Sequence, residues 1–289
     1  MRTIKRKRRK QDLVRMLVPV LLLCFAIPVL LGGCQGAKEE EATQAPAPKT
    51  EENTGFVDEI RERGYLIAGC KTDVPGLSFY DEKTDSWSGL EVEIARKTAA
   101  DIFGTDLDTV DKEQLVHFEG VTVDNREDML LDGKVDCLLA TMSITDARKK
   151  RMSFSESYYT DYVGLMVRIT KEDEDSLGSG NIKSLAYLDG KLIGVARKST
   201  TRAAMRTYIE NVATLNVVPR FAEFSSYDQL YKALKRGDID AMSVDVCILQ
   251  AYKDENMKIL PDRFAAQHYG AAVKPENREL LEHINKALQ

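Results

Sequence analysis

Apolar and polar positions divide the chain into three zones. Met16 to Leu31 is an almost unbroken apolar run behind a basic start that holds Arg2, Lys5, Arg6, Lys7, Arg8, Arg9, Lys10 and Arg15 against one acid, Asp12. Residues after Gly36 turn polar, with Glu39-Glu40-Glu41, Ala45-Pro46-Ala47-Pro48 and Glu51-Glu52. From there on, short apolar runs alternate with segments of helical period. The runs predict strands at 65–70, 114–119, 135–140, 192–196, 217–221 and 240–244. The periodic segments predict helices near 89–103, 126–132, 200–212, 226–236 and 245–253. Strand and helix in strict alternation define an α/β protein with mainly parallel sheets covered by helices.

The pattern also repeats weakly. Leu130-Leu131-Asp132-Gly133-Lys134-Val135-Asp136 and Leu234-Lys235-Arg236-Gly237-Asp238-Ile239-Asp240 each read as a helix stopped by glycine and followed by an aspartate that opens a strand. Gly64-Tyr65-Leu66-Ile67 and Gly190-Lys191-Leu192-Ile193 each begin an earlier strand. Two lobes of similar build account for both pairs.

The basic and apolar start is that of a secretion signal over residues 1–33. Pro19 and Pro28 and the short length argue against a membrane span. Leu31-Gly32-Gly33-Cys34 resembles a bacterial lipobox, which makes Cys34 the acylated first residue of the mature protein. Residues 34–54 cannot bury a core and form a tether. Loss of the signal lowers Lys+Arg from 41 to 33 and Asp+Glu from 46 to 45, leaving a net charge of −12, which excludes a nucleic-acid binder.

Of the remaining cysteines, Cys70, Cys137 and Cys247 each lie in an apolar stretch and read as core residues, not as a disulfide framework. His117, His268 and His283 lack metal-ligand spacing, and no phosphate loop or nucleophile elbow occurs. The chain calls for no metal and no cofactor. Gly178 and Gly180, in the charged run 171–180, lack dinucleotide-site spacing and mark a surface loop.

The chemistry concentrates where the strand Val135 to Ala140 runs into Thr141, Met142 and Ser143, with Arg148 one short helical turn later and Phe154-Ser155-Glu156-Ser157-Tyr158-Tyr159 beyond. Hydroxyls, free backbone N–H groups and a guanidinium at the carboxyl end of a strand suit a carboxylate. The alternative is that Arg148 pairs with Asp146 or Glu156 on a solvated turn.

This run resembles, nearly position for position, the signature of the bacterial extracellular solute-binding proteins of family 3, the polar amino-acid receptors of ABC importers. The resemblance extends from Gly64 to Leu288 and is strongest to the aspartate/glutamate-binding branch. It implies the two-lobed type 2 periplasmic-binding-protein fold, with crossing strands near Asp161 to Val167 and Ala266 to Val273. The first lobe then comprises 55–161 and 267–289, and the second 162–266.

Within that resemblance, Arg148 clamps the ligand α-carboxylate, helped by Ser143 and the backbone around Thr141, and Asp245 accepts the α-ammonium from the opposite lobe. Lys71 and Arg126 match cationic positions that meet an acidic side chain. Ser199, Thr200 and Thr201 open a helix, as anion donors or as a plain N-cap, and Tyr269 lines the cleft. Two departures stand out. Gly76 replaces a bulky residue after the first loop, which predicts a looser lid or a larger ligand. The chain also stops at Asn285-Lys286-Ala287-Leu288-Gln289, where members usually continue through a further turn and helix, so that either the form is shortened or the sequence is incomplete, and the stability of the first lobe is in question.

The implied protein is no enzyme. It is a monomeric receptor, lipid-anchored through Cys34 on the outer face of the membrane, that binds a free acidic amino acid and delivers it to an ABC permease. The alternatives are an enzyme on the same fold, such as a dehydratase, or a ligand-sensing surface antigen.

Overall fold

The computed structural model describes residues 55–169, 182–212 and 214–289. The signal, Cys34, the tether and the loop at 171–180 lie outside the described residues. Helices α1 (Phe56–Arg63), α2 (Leu90–Phe103), α3 (Leu107–Lys112), α4 (Arg126–Leu131) and α5 (Asp146–Lys149) precede the crossing into the second lobe. Helices α6 (Thr201–Asn211), α7 (Tyr227–Arg236) and α8 (Val246–Tyr252) belong to that lobe, and α9 (Arg278–Ala287) follows the return.

The first sheet is ordered β5-β1-β6-β14-β7, formed by Val116–Val121, Leu66–Lys71, Cys137–Leu139, Ala272–Val273 and Ser153–Phe154. Its β5, β1 and β6 are parallel, whereas β14 and β7 pair antiparallel. The second sheet is ordered β10-β9-β11-β8-β12, formed by Arg220–Phe224, Leu192–Ala196, Ala241–Asp245, Tyr159–Arg168 and Met257–Ile259. Here β10, β9 and β11 are parallel, and β8, β12 and β13 (Phe264–Tyr269) are antiparallel additions. The sheets are therefore mixed, each with the parallel core that the alternation predicts. A meander of β2 (Asp73–Val74), β3 (Ser78–Asp81) and β4 (Ser86–Ser88), outside the predicted elements, completes the first lobe.

The crossing strands are β8 and β13, which pair antiparallel from Phe264 opposite Val163 to Tyr269 opposite Tyr159. The predicted strand at 217–221 begins three residues late, at Arg220, because Val217 and Val218 belong to the loop before it, where the Val218 N–H donates to Asp189 Oδ1 at 2.9 Å.

Strand alternation sorts side chains to the two faces of each sheet. Leu66, Ala68, Cys70, Cys137 and Leu139 face α1, α2 and α9, while Leu138 and Ala140 pack with Leu130 of α4 and with Met142 and Met152. In the second sheet Val163, Leu165 and Ile193 pack against Leu185, Leu188 and Met205, and Met242 and Val244 against Leu230, Leu234 and Ile248. Cys70 and Cys137 are buried as expected; Cys247 is only half-buried, its sulfur 3.6 Å from the Tyr269 hydroxyl. The final helix packs on the first lobe. Leu280 and Ile284 of α9 are fully buried, and His283 Nδ1 lies 2.7 Å from Asp101 Oδ2 on α2.

Gly89 has a backbone requirement. It precedes α2 with φ +116, and a Cβ there would strike the Leu77 carbonyl, which accepts from the Glu91 N–H at 2.8 Å. Glycine alone allows this approach, and it fixes the start of the helix that carries Glu91.

Candidate binding site

The polar residues singled out in the sequence gather at the carboxyl ends of parallel strands from both sheets. Lys71 ends β1, Thr141 and Ser143 follow β6, Ser199 to Thr201 follow β9, and Asp245 ends β11. This is where ligands of open α/β sheets sit. Arg126, Thr141, Ser143, Ser199, Thr200, Thr201, Tyr227 and Asp245 line one cavity, with Val244 and Ile248 as its apolar wall. Its free volume is about 10 Å³, so the lobes must part before an amino acid enters.

Arg126 opens α4 and is 2% exposed. One of its terminal nitrogens donates to the Ala140 carbonyl and, at 3.1 Å, to that of Thr141. Its Nε is buried without a partner. Among the described residues no carboxylate forms a direct ion pair with it; the buried carboxylates of Glu91 and Asp245 act on it only through space.

Asp245 faces it across the cavity. Tyr269, fully buried, donates its hydroxyl to Asp245 Oδ2 at 2.5 Å. Burial is the largest influence on the Asp245 carboxyl and pushes its pKa up to about 6; nearby Asp161 adds to this, and the Tyr269 bond, Arg126 and Arg148 oppose it. Ser143 is bridged to Tyr269 across the return crossing, which ties the loop after β6 to β13.

Arg148 is buried, but its guanidinium is already engaged. Nε donates to Glu127 Oε1 at 3.1 Å, Nη1 to the Ser143 carbonyl at 2.9 Å, and Nη2 to the Lys198 carbonyl of the other lobe at 3.2 Å. One N–H on each terminal nitrogen remains for a ligand. Burial lowers its pKa to about 10. The partner is therefore Glu127, and not Asp146 or Glu156 on a solvated turn. Arg148 borders a wider groove outside the cavity.

Lys71 does not reach the cavity wall. Its ammonium pairs with Asp73 Oδ1 at 2.8 Å, lies 3.4 Å from the Val121 carbonyl and sits 4.7 Å from the centre of the Tyr227 ring. Burial lowers its pKa, and Asp73 works against that.

The expected helix cap is built otherwise. Thr200 occupies the N-cap of α6 without a side-chain cap bond; its hydroxyl donates to Gln267 Oε1 at 2.8 Å, and the Ser199 hydroxyl turns back to the Ala196 carbonyl at 2.7 Å. Thr201 is 2% exposed and lines the cavity.

Two residues that sequence reasoning missed organise the site. Glu91, fully buried, accepts from the Thr141 N–H at 2.6 Å and from the Tyr158 hydroxyl at 2.5 Å, while its Oε2 has no partner. The Thr141 amide, expected for the ligand, is thus spent on Glu91, and Thr141 is held at φ +50. Burial raises the Glu91 pKa. Glu127 is the second: it holds Arg148 and also Arg151, at 2.8 Å. Glu91 precedes an apolar helical face and Glu127 sits in the acidic first turn of α4, so both read as ordinary helix-start charges. Only their burial marks them.

A mixed-sheet, two-lobed α/β fold with a polar cavity at the facing strand ends defines a solute-binding receptor of the type 2 periplasmic-binding-protein class. Residues 66–289 match the bacterial extracellular solute-binding proteins, family 3, and the chain belongs to that family. Its members are transport receptors and not enzymes.

The chain is 26% identical over 280 residues to the glutamine-binding protein of Geobacillus stearothermophilus, covering 96% of this chain and 98% of that one. It is 28% identical over 246 residues to the glutamate-binding protein GluB of Corynebacterium glutamicum, covering 81% and 76%. Among solved structures it is similar to an ancestral arginine-binding protein bound to glutamine, with TM-score 0.61, 31% identity and coverage of 78% and 91%. The holo arginine-binding protein of T. maritima gives TM-score 0.63, 27% identity and coverage of 80% and 92%. Among the described residues no helix is long and apolar enough to cross a membrane and no His, Cys, Asp and Glu cluster could hold a metal ion.

Proposed function

We propose that this receptor captures a free acidic amino acid, aspartate or glutamate, and presents it to the permease of an ABC importer. Asp245 takes the α-ammonium, the two remaining N–H groups of Arg148 take the α-carboxylate, and Arg126 takes the side-chain carboxylate. The supporting observation is the unpaired, buried guanidinium of Arg126 on the cavity wall. Lys71 is matched by Asp73, and Arg148 shares Glu127 with Arg151, so of the cations that line the cavity itself Arg126 is the one without a direct carboxylate partner.

One observation favours a second reading. The free Oε2 of Glu91 is a buried acceptor near Arg126 and Lys71, and a side-chain amide of glutamine could donate to it. Titration calorimetry with glutamate and glutamine separates the two. Acid binding tighter than amide binding, with Arg126→Gln weakening the acid by about 2–4 kcal/mol and the amide much less, supports the first. A wild-type preference for glutamine overturns the acidic assignment and keeps the receptor.

On the same reading residues 1–33 are a secretion signal, Cys34 carries the lipid that holds the receptor on the outer face of the membrane, and the receptor works as a monomer. Stable attachment takes more than one acyl chain. Cys34→Ala protein should appear uncleaved or released, with its binding domain folded. Wild-type protein recovered free of lipid refutes the anchor.

A further inference from the structure

Beside the cavity, with Arg148 on its border, lies a groove of about 960 Å³. That is near the top of the range for small-molecule pockets, roughly 300–1,000 Å³, and several times what one free amino acid needs. Arg148 and Arg151 of the first lobe and Lys198 of the second form its polar rim, and Ala203, Thr207 and Tyr208 on one face of α6 form its floor. Ser199 and Thr200 line both cavity and groove, so the two are continuous.

The rim is not electrically balanced. Glu127 faces two guanidiniums, Arg148 at 3.1 Å and Arg151 at 2.8 Å, and Asp128 pairs with Lys198 at 2.7 Å, so three rim cations meet two carboxylates and one positive charge is left over. The Arg151 side chain is 53% exposed and keeps N–H groups beyond the one bonded to Glu127. The backbone is also shaped for this junction: of the non-glycine residues with positive φ, Thr141 lines the cavity and Lys198 (φ +55) and Ala265 (φ +52) line the groove. Such conformations persist where the surroundings enforce them.

We infer that the cleft also accepts short peptides, with the N-terminal residue in the cavity and the C-terminal carboxylate in the groove. This rests on the amino-acid reading, since Asp245 must hold the N-terminal ammonium. Arg148, at the boundary, then donates to the first peptide carbonyl instead of a carboxylate. The chain runs out over the alanine face of α6, and its terminal carboxylate meets Arg151 and the Lys198 side of the rim. The floor combines the small Ala203, Ala204 and Thr207 with the Tyr208 ring, which leaves room for an extended peptide backbone with an aromatic edge beside it.

Thermal-shift and calorimetric titrations with glutamate, glutamine, α-glutamyl-glycine, glutaminyl-glycine and the C-terminal amide of each dipeptide test this. The dipeptides should bind within about tenfold of the better parent amino acid, and amidation should weaken them at least fivefold. Ala203→Trp fills the groove on an exposed helix face and should weaken dipeptides at least tenfold while free amino acids change less than twofold. Thr207→Trp, one turn further along, is the second variant should the first fold poorly. Binding of free amino acids without dipeptides, or dipeptide binding indifferent to amidation and to both tryptophans, overturns the groove and leaves the amino-acid receptor standing. Binding of neither class overturns both.

Discussion

Tyr269, on the strand that returns to the first lobe, donates its hydroxyl to Asp245 at the end of β11 at 2.5 Å, so the carboxylate proposed for the ligand ammonium is held by a crossing strand. Asp245 is buried and its pKa lies near 6. Since that is above the value in the unfolded chain, protonated Asp245 favours the folded state at low pH, and the benefit is lost as pH rises from about 4 through about 6. Ligand capture runs the other way, because an ammonium needs the ionised carboxylate. Affinity should fall as pH drops below 6, by about 1.4 kcal/mol per unit. Calorimetry from pH 5 to 8 should show this, and Asp245→Asn should lose both the affinity and its slope. A flat profile in the wild type removes Asp245 from the ammonium site.

Arg148→Ala should abolish amino-acid binding, but it should also touch stability. Glu127 is 9% exposed and would keep only Arg151, itself half-exposed. Breaking a buried pair from one side costs about 3–5 kcal/mol, and the surviving partner brings the expected loss nearer the lower end. Adding Glu127→Gln should recover most of that stability in urea unfolding without restoring binding. If the double variant binds amino acids normally, Arg148 is not the clamp.

Lys198 reaches across the cleft to Asp128 at 2.7 Å, and Arg197 to Asp124 at 3.2 Å. Both pairs are largely exposed, so their effect is modest and screened by salt. They nevertheless act only in the closed state. Raising salt, or Lys198→Ala, should enlarge the ligand-free protein in solution scattering and weaken ligand a fewfold, while the ligand-bound dimensions stay fixed. Lys198→Gly removes the same charge without the left-handed backbone conflict at φ +55, so it should open the cleft equally and be the more stable of the two. Identical scattering for wild type and both variants would show that closure owes nothing to the rim.

Much of the frame could be read from hydrophobic period alone. The strand Leu192–Ala196 falls where the pattern puts it, and α2, α4, α7 and α8 start within one residue of expectation. The short pieces were not legible. Asp73–Val74 and Ser86–Ser88 are too brief to show alternation, and α9 has an apolar face that only its packing on α2 reveals. At the site, the signature named the gathering of Thr141, Ser143 and Asp245, because strand ends are local. Which carboxylate neutralises which cation is not local. The Lys71–Asp73 pair is two residues apart, but Arg148–Glu127 joins two helices 21 residues apart, and Thr141–Glu91 spans 50.

Glu91 gives the sharpest test of that hidden layer. It accepts two hydrogen bonds through Oε1, from the Thr141 N–H and the Tyr158 hydroxyl, and so holds the amide side of the Thr141 turn at φ +50, while Arg126 holds its carbonyl side. Glu91→Ala strands a buried amide and a buried hydroxyl, at about 1–3 kcal/mol each, and should weaken ligand binding as the turn relaxes. Glu91→Gln keeps an oxygen acceptor for both donors, removes the charge and puts an NH2 where Oε2 has no partner. Burial holds the folded-state pKa of Glu91 above its unfolded value, so its contribution is greatest at acid pH and declines as pH rises above the usual glutamate range. The glutamine variant should therefore gain on the wild type between pH 5 and pH 7.5, whereas the alanine variant should lag at both. Urea unfolding at the two pH values reads this difference. Equal losses for glutamine and alanine at pH 7.5 would mean that the carboxylate charge, and not its hydrogen bonds, holds the turn.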